Sequence, residues 1–185
     1  MTVSTTGLTA ETPNRLLLDA GAFYKNYGEV SGEACLGATQ GGGEFNYIQK
    51  IRQIEVDGVK GAVKGLQQVE STEITLKANL LEVTTTNLAM AINGTVDTTG
   101  LEYDTIKGKT TIELADYITN IAWVGRLSGS LTPVVIILKN ALNTGGLKLK
   151  QEDNKEGTIP MEFSAYFDPA TPTVIPFEIR YPKIV

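Results

Sequence analysis

The sequence predicts a mainly-β fold, an antiparallel two-sheet sandwich or partly rolled barrel with one short flanking α-helix. Three observations carry that expectation. Apolar and polar residues alternate with a period of two in several separate stretches. Glycine and proline clusters punctuate the chain between those stretches. One segment alone offers a helix, and it is about two turns long.

Residues 1–14 are threonine-rich, end near Pro13 and read as a flexible arm that orders on a partner. "RLLLDAGAFYKNYG" follows as two strand-like pieces, Leu16–Leu18 and Ala22–Tyr27, broken at Gly21. The segment 28–43, "GEVSGEACLGATQGGG", holds six glycines and reads as a long loop. It contains Cys35, the single cysteine, expected as a buried or half-buried thiol. With one cysteine no intramolecular disulfide is available, which fits synthesis in a reducing compartment.

"EFNYIQKIRQIEV", 44–56, reads as a long strand whose phase is impure. Odd positions hold Phe45, Tyr47 and Ile51; even positions hold Ile48, Ile54 and Val56. Either a bulge inverts the phase, or each face meets protein for part of its length. At about 3.3 Å per residue such a strand reaches some 40 Å, longer than a small domain needs. A projecting ribbon is therefore expected, with a long hairpin or loop near 37–66. Its turn, "EVDGVKGAVKG", supplies Gly58, Gly61 and Gly65 for left-handed backbone, and Asp57, Lys60 and Lys64 for charge matching across an interface.

The next strand, "ESTEITLKANLLEV", is cleaner. Ile74, Leu76, Ala78 and Leu80 are assigned to the core, and Glu73, Thr75, Lys77 and Asn79 to water or a polar channel. In "TTTNLAMAING", Thr84 to Thr86 offer N-cap hydroxyls, Leu88, Ala89 and Ile92 form the packed stripe, and Asn93-Gly94 ends the helix. Further strands are expected in "YDTIKGKTTIEL", "DYITNIAWVGRLSG", "PVVIILKNAL", "GLKLKQE", "IPMEFSAYFD" and "PFEIRYPKIV". Met161, Phe163, Ala165 and Phe167 share one face, as do Phe177, Ile179 and Tyr181; Trp123 is assigned to the core in preference to a subunit seam. Residues 15–185 thus read as one domain, of a size that buries enough surface to need neither disulfide nor metal.

Composition narrows the function. The chain has no histidine, and 16 Lys plus Arg against 21 Asp plus Glu leave a formal charge of −5. The commonest general base near neutrality is absent, and an acidic balance disfavours sequence-blind nucleic-acid binding. The N-terminus lacks the basic and apolar regions of a signal peptide, and the longest apolar run, "VVIIL", is far too short for a membrane helix; a soluble protein is expected.

The remaining polar residues offer no catalytic constellation. Asp97 with Glu102 and Asp104, and Glu152 with Asp153 and Glu156, are acid groups without a fixed separation, and they read as solvated turns. "DGVKG" and "DNKEG" lack the alternating oxygen ligands of a calcium loop. Ser128 and Ser130 lack the G-x-S-x-G spacing of a nucleophile elbow. No catalytic residue, cofactor or metal is expected, and an enzyme is disfavoured.

Five segments in order, "RLLLDAGAFYKNYGE", "GATQGGGEF", "IRQIEVDGVKGAVKGL", "ITLKANLLEVTTTNLAMAI" and "IPMEFSAYFDP", resemble the major tail, or tail tube, proteins of tailed bacteriophages of Gram-positive hosts. The resemblance spans about residues 15–180. It implies a subunit whose six copies close a ring by pairing sheet edges around a DNA-wide channel. Rings would stack through a long hairpin and terminal arms. The implied partners are identical copies, a tape measure protein, tail terminator and baseplate or tail-tip proteins, a sheath protein if the tail contracts, and DNA in transit without specific binding. The implied location is the virion tail, assembled in the bacterial cytoplasm.

On this reading Phe45, Tyr47, Ile51, Asp57, Gly58, Lys60, Gly61, Lys64 and Gly65 form the ring-to-ring contact, and Glu73, Thr75, Lys77 and Asn79 face the lumen. The alternatives are a tail terminator or completion ring, a bacteriocin-like tube subunit, and a carbohydrate-binding β-sandwich using Tyr24, Tyr27, Tyr47 and Tyr103. The last would be a stable monomer with an aromatic platform.

Overall fold

The computed structural model describes residues 6–183. The first five residues of the expected arm, 1–5, and the last two positions of the expected final strand, Ile184 and Val185, lie outside them. Ten strands run in the order β1 (Leu17–Lys25), β2 (Ala34–Cys35), β3 (Thr39–Gln53), β4 (Gln67–Leu80), β5 (Thr95–Asp97), β6 (Thr105–Lys107), β7 (Ile118–Leu127), β8 (Val134–Asn143), β9 (Ile159–Ala165) and β10 (Phe177–Arg180). One helix, α1 (Thr85–Ala91), follows β4. Eight strands form one antiparallel sheet in the order β2-β1-β7-β8-β9-β4-β3, with β10 also on β8; β5 and β6 pair separately.

The fold is mainly β and consistent with a sandwich, but the sheet does not close into a barrel. Its two layers follow from the partner switch of β8. One edge of β8 pairs with β10 through 135–138 and with β9 through 141–143. Asn140 lies between, in the left-handed region at φ 49°. Its Nδ2 donates to the Tyr166 carbonyl at 3.1 Å as β9 leaves the sheet. Phe177 of β10 then packs on Phe45 and Tyr47 of β3, ring centroids 5.5 and 5.0 Å apart. The β1-β7-β8-β10 part therefore covers the β9-β4-β3 part.

The core between them is the one the period-two pattern assigned. Ile74, Leu76, Ala78 and Leu80 are buried with Phe23, Ile121, Trp123, Leu138, Ile159, Met161 and Phe163. Burial of each large apolar side chain contributes about 1.5–3 kcal/mol, so this set dominates stability. Phe167 lies beyond the end of β9 and is exposed, unlike Met161 and Phe163 on its expected face.

Several expectations are corrected, each for a local reason. The break at Gly21 is a bulge inside one continuous strand. Leu18 pairs with Arg126 and Ala22 with Val124, so three β1 residues oppose Gly125 alone. Asp19 and Gly21 take positive φ there, and Trp123 Nε1 donates to the Ala20 carbonyl at 2.7 Å. The indole fills the space that side chains at 21 and 125 would occupy; a Cβ on Gly125 would lie 1.9 Å from the ring.

The glycine-rich 28–43 segment is not one loop. It contains β2 and the start of β3, where Gln40, Gly41 and Gly42 oppose Asn79 in a second three-to-one bulge. Cys35 is exposed, not buried, because β2 sits at the sheet edge. Within 103–114 only Thr105–Lys107 is strand, and "GLKLKQE" forms none, its end held instead by an isolated Glu152–Lys155 bridge.

Helix α1 begins as expected, Thr84 Oγ1 accepting from Asn87 N–H at 3.1 Å, and ends at Asn93 with φ 48°. Its fully buried positions are Asn87 and Ala91, and of the expected stripe Leu88 packs half-buried against the core. Asn87 Nδ2 donates to the carbonyls of Leu36 and Glu82, which draws a polar residue inward. The end of the N-terminal arm is fixed in part: Thr12–Asn14 make a short 3-10 turn, and Gly129 N–H donates to Asn14 O.

Candidate functional site

The ribbon is the most distinctive surface. β9 pairs with β4 only as far as Thr75, whereas the β3–β4 ladder continues from Asn46↔Thr75 to Gln53↔Gln67. Beyond Tyr47, then, two strands run outward with no third strand beside them. The impure phase has its expected bulge, but on the opposite strand. Lys50 pairs with Ser71 and Ile51 with Val69, leaving Glu70 of β4 as the extra residue. Glu70 uses that position to meet Lys50 at 2.8 Å.

Ile48, Ile51, Val56, Val59 and Val69 are all exposed, Ile51 at 59%. A two-stranded hairpin with such surface is marginal in water by itself. The connecting loop, 54–66, is nevertheless ordered by its own bonds. Ile54 N–H donates to Leu66 O at 2.8 Å, and Gln67 Nε2 donates to Gln53 Oε1 at 2.8 Å and to Val63 O at 2.9 Å. Gly58 and Gly65 take φ 84° and 91°; Gly61 does not adopt positive φ, so only two of the three glycines serve the turn as expected.

Of the residues assigned to a ring contact, Ile51, Asp57, Gly58, Lys60, Gly61, Lys64 and Gly65 cluster on the outer ribbon and are exposed. Among the described residues Asp57, Lys60 and Lys64 have no ion-pair partner. Phe45 and Tyr47 are different. They pack beneath Phe177 against the core, so their apolar area is already used within the chain.

The polar face of β4 is likewise mixed. Glu73 is exposed, Lys77 and Asn79 are half-buried, and Thr75 is only 4% exposed, flanked by Asn46 and Ser164 on the neighbouring strands. Lys77 pairs with Glu162 at 3.7 Å, and both join Glu44, Asn79 and Lys148 around a polar cleft of about 300 Å³.

Asp97, Glu152, Ser128 and Ser130 are tied into local structure. Asp97 accepts from Thr99, which lowers its pKa; Glu152 is held by Lys150 and Lys155, which lowers its pKa in turn. Ser128 Oγ accepts from Leu16 N–H and Ser130 Oγ from Thr132 N–H. No group of three or more His, Cys, Asp or Glu suited to a metal occurs among the described residues. Of the four tyrosines, Tyr24 and Tyr27 meet edge to face at 5.8 Å, Tyr47 is covered by Phe177, and Tyr103 stands exposed on the 98–104 loop.

Sequence reading missed one feature, a groove at the β8 partner switch. One basin of about 400 Å³ is lined by Leu114, Tyr117, Asn140, Tyr166, Phe167 and Asp168. A second, of about 280 Å³, shares Asn140 and Asp168 and continues to Glu29, Val174 and Ile175. Tyr117 and Tyr166 meet edge to face at 5.3 Å. These residues come from five segments far apart in the chain, so no local pattern announces them.

Fold and surface together define a mainly-β protein with a projecting, unpartnered two-stranded ribbon. The sequence matches no protein-family model, and no curated protein matches it.

Proposed function

We propose that this chain is a structural subunit of a phage tail tube, which assembles as stacked hexameric rings around a DNA-conducting channel. The observation that carries the reading is the ribbon: apolar side chains on both faces stay exposed, and among the described residues no third strand pairs with it beyond Thr75. Heterologous contacts between identical subunits close rings around an axis, and repeated along it they build a filament. The open sheet edges at β2 and β3 offer backbone groups for such pairing, which removes the hazard that free edges pose to a monomer.

Neither step needs catalysis. The partners are further copies of the chain, a tape measure protein, the tail's terminator and tip proteins, and a sheath in a contractile tail. The site of action is the virion tail, after assembly in the bacterial cytoplasm. Glu73, Lys77 and Asn79 of the β4 face would line the lumen, with Thr75 buried between its neighbours. There the Lys77–Glu162 pair neutralises the one cation of that set, so passing phosphate finds little to hold it.

The test is electron microscopy and light scattering of the purified chain across a concentration series. Rings and stacked tubes are expected, and a chain that stays monomeric even when seeded with tail-tip complexes overturns the proposal. Val56→Asp with Val59→Asp should stop stacking and leave thermal stability unchanged; loss of the fold instead would move the contact elsewhere.

A further inference from the structure

We infer that the groove at the β8 partner switch receives the ribbon tip of a second copy, an inference that rests on the tube-subunit reading and names its receiving site. The two surfaces are complementary in kind. The groove offers Leu114, 88% exposed, with Tyr166, Phe167, Val174 and Ile175 also open to solvent. The descending limb of the ribbon loop, "GVKGAVKG" at 58–65, presents Val59, 52% exposed, between glycines that keep its backbone slender. A valine on a narrow limb suits a basin of a few hundred Å³ better than a bulky strand would.

Charge points the same way. The 58–65 limb carries Lys60 and Lys64 and no acid. The groove carries Asp168 and Glu29, neither paired with a cation among the described residues, whereas its one cation, Lys139, is engaged by Glu178 at 3.2 Å. Outside the ribbon, in 1–47 and 74–185, acidic residues outnumber basic ones seventeen to twelve. Within 48–73 they are equal at four each. The ribbon is thus a net-neutral projection from an acidic body, and steering favours its approach to another copy.

The groove is built by backbone that the fold holds in place. Asn140 Nδ2 and carbonyl fasten Tyr166 on one side, and Lys139 N–H fastens Pro176 O at 2.8 Å on the other. The contact is heterologous, tip to groove, so each copy retains a free tip and a free groove. Such a contact propagates.

Cysteine pairing in the full chain tests it. In a Cys35→Ser background, Val59→Cys and Leu114→Cys are combined and oxidised mildly under conditions where the protein assembles. A ladder of disulfide-linked multimers is expected. A control pairing Val59→Cys with Leu131→Cys, fully exposed but in the loop before β8 and lining neither basin of the groove, should give monomer. Assembly without the 59–114 ladder, or with an equal ladder in the control, overturns the groove assignment and leaves the tube reading standing. Failure of the unsubstituted chain to assemble at all overturns both.

Charge reversal supplies the second arm. Asp168→Lys should raise the concentration needed for stacking about tenfold, the size of one close charge pair, and Lys60→Glu with Lys64→Glu in the same chain should restore it. A triple variant no better than Asp168→Lys alone would also overturn the assignment.

Discussion

Gly43 of β3 lies against the ring of Phe23 of β1, so closely that a Cβ at 43 would stand 2.3 Å from Phe23 Cζ and 2.5 Å from the Lys77 carbonyl. These strands lie near opposite ends of the sheet path, and they approach each other without hydrogen-bonding. Their bulges, at 19–21 and 40–42, occur side by side, with Gly42 next to Ala20. The sheet curls until β1 and β3 touch, with a bulge in each strand at the point of approach.

Gly43→Val should therefore destabilise the fold by about 1–3 kcal/mol, the usual cost of forcing atoms into a packed seam. Denaturant unfolding measures it. A change within a few tenths of a kcal/mol would mean that the seam is loose.

Trp123→Phe keeps an aromatic side chain but removes the indole's second ring and the N–H that donates to the Ala20 carbonyl, leaving the β1 bulge without its tie. A loss of about 1–3 kcal/mol is expected, together with faster amide exchange at Leu18 to Ala22. Unaltered exchange there would show that the bulge stands without the indole.

Asn143, 2% exposed, joins the helix to the sheet by donating to Ala91 O at 2.6 Å and accepting from Glu162 N–H at 3.0 Å. Asn143→Ala leaves one buried and one half-buried backbone group without their partner, so a loss on the order of 3 kcal/mol is expected. Calorimetry would settle the size, and a loss below about 1 kcal/mol would mean that water replaces the amide.

Glu178 accepts from Arg180 and pairs with Lys139, which holds its pKa below the ordinary 4.5. A depressed folded-state pKa means stability present above the unfolded value and lost as pH falls through the folded one. The attachment of β10 to β8 should accordingly weaken as pH falls below the ordinary 4.5 and through the lowered folded-state value. Hydrogen exchange at 177–180 should rise there in the wild type and show a smaller change in Glu178→Gln. Equal acid responses in the two proteins would remove Glu178 as the cause.

If the β4 face lines a lumen, Glu44→Lys with Glu73→Lys makes that lining basic. Assembled tubes of the variant should then retain duplex DNA at low salt and release it as salt rises, whereas wild-type tubes should not retain it. Equal retention by both tubes would place this face away from the channel.

The alternation Ile74-Leu76-Ala78-Leu80 and its echo at Met161 and Phe163 determined the core by themselves, because in a strand the face of a side chain depends only on parity. The cap at Thr84 and the stop at Asn93 were equally local, as was the projecting hairpin, whose apolar residues fell on both faces. What only the tertiary structure decided depends on partners distant in the chain. Gly21 became a bulge instead of a break because Trp123 supplied a donor from 103 positions away. Phe45 and Tyr47 turned inward because Phe177 crossed above them, Asn87 was buried because two carbonyls awaited it, and the groove exists only where β8 changes partners at Asn140. Parity and capping act within a few residues, whereas a bulge, a seam or a cavity is set by what packs against it.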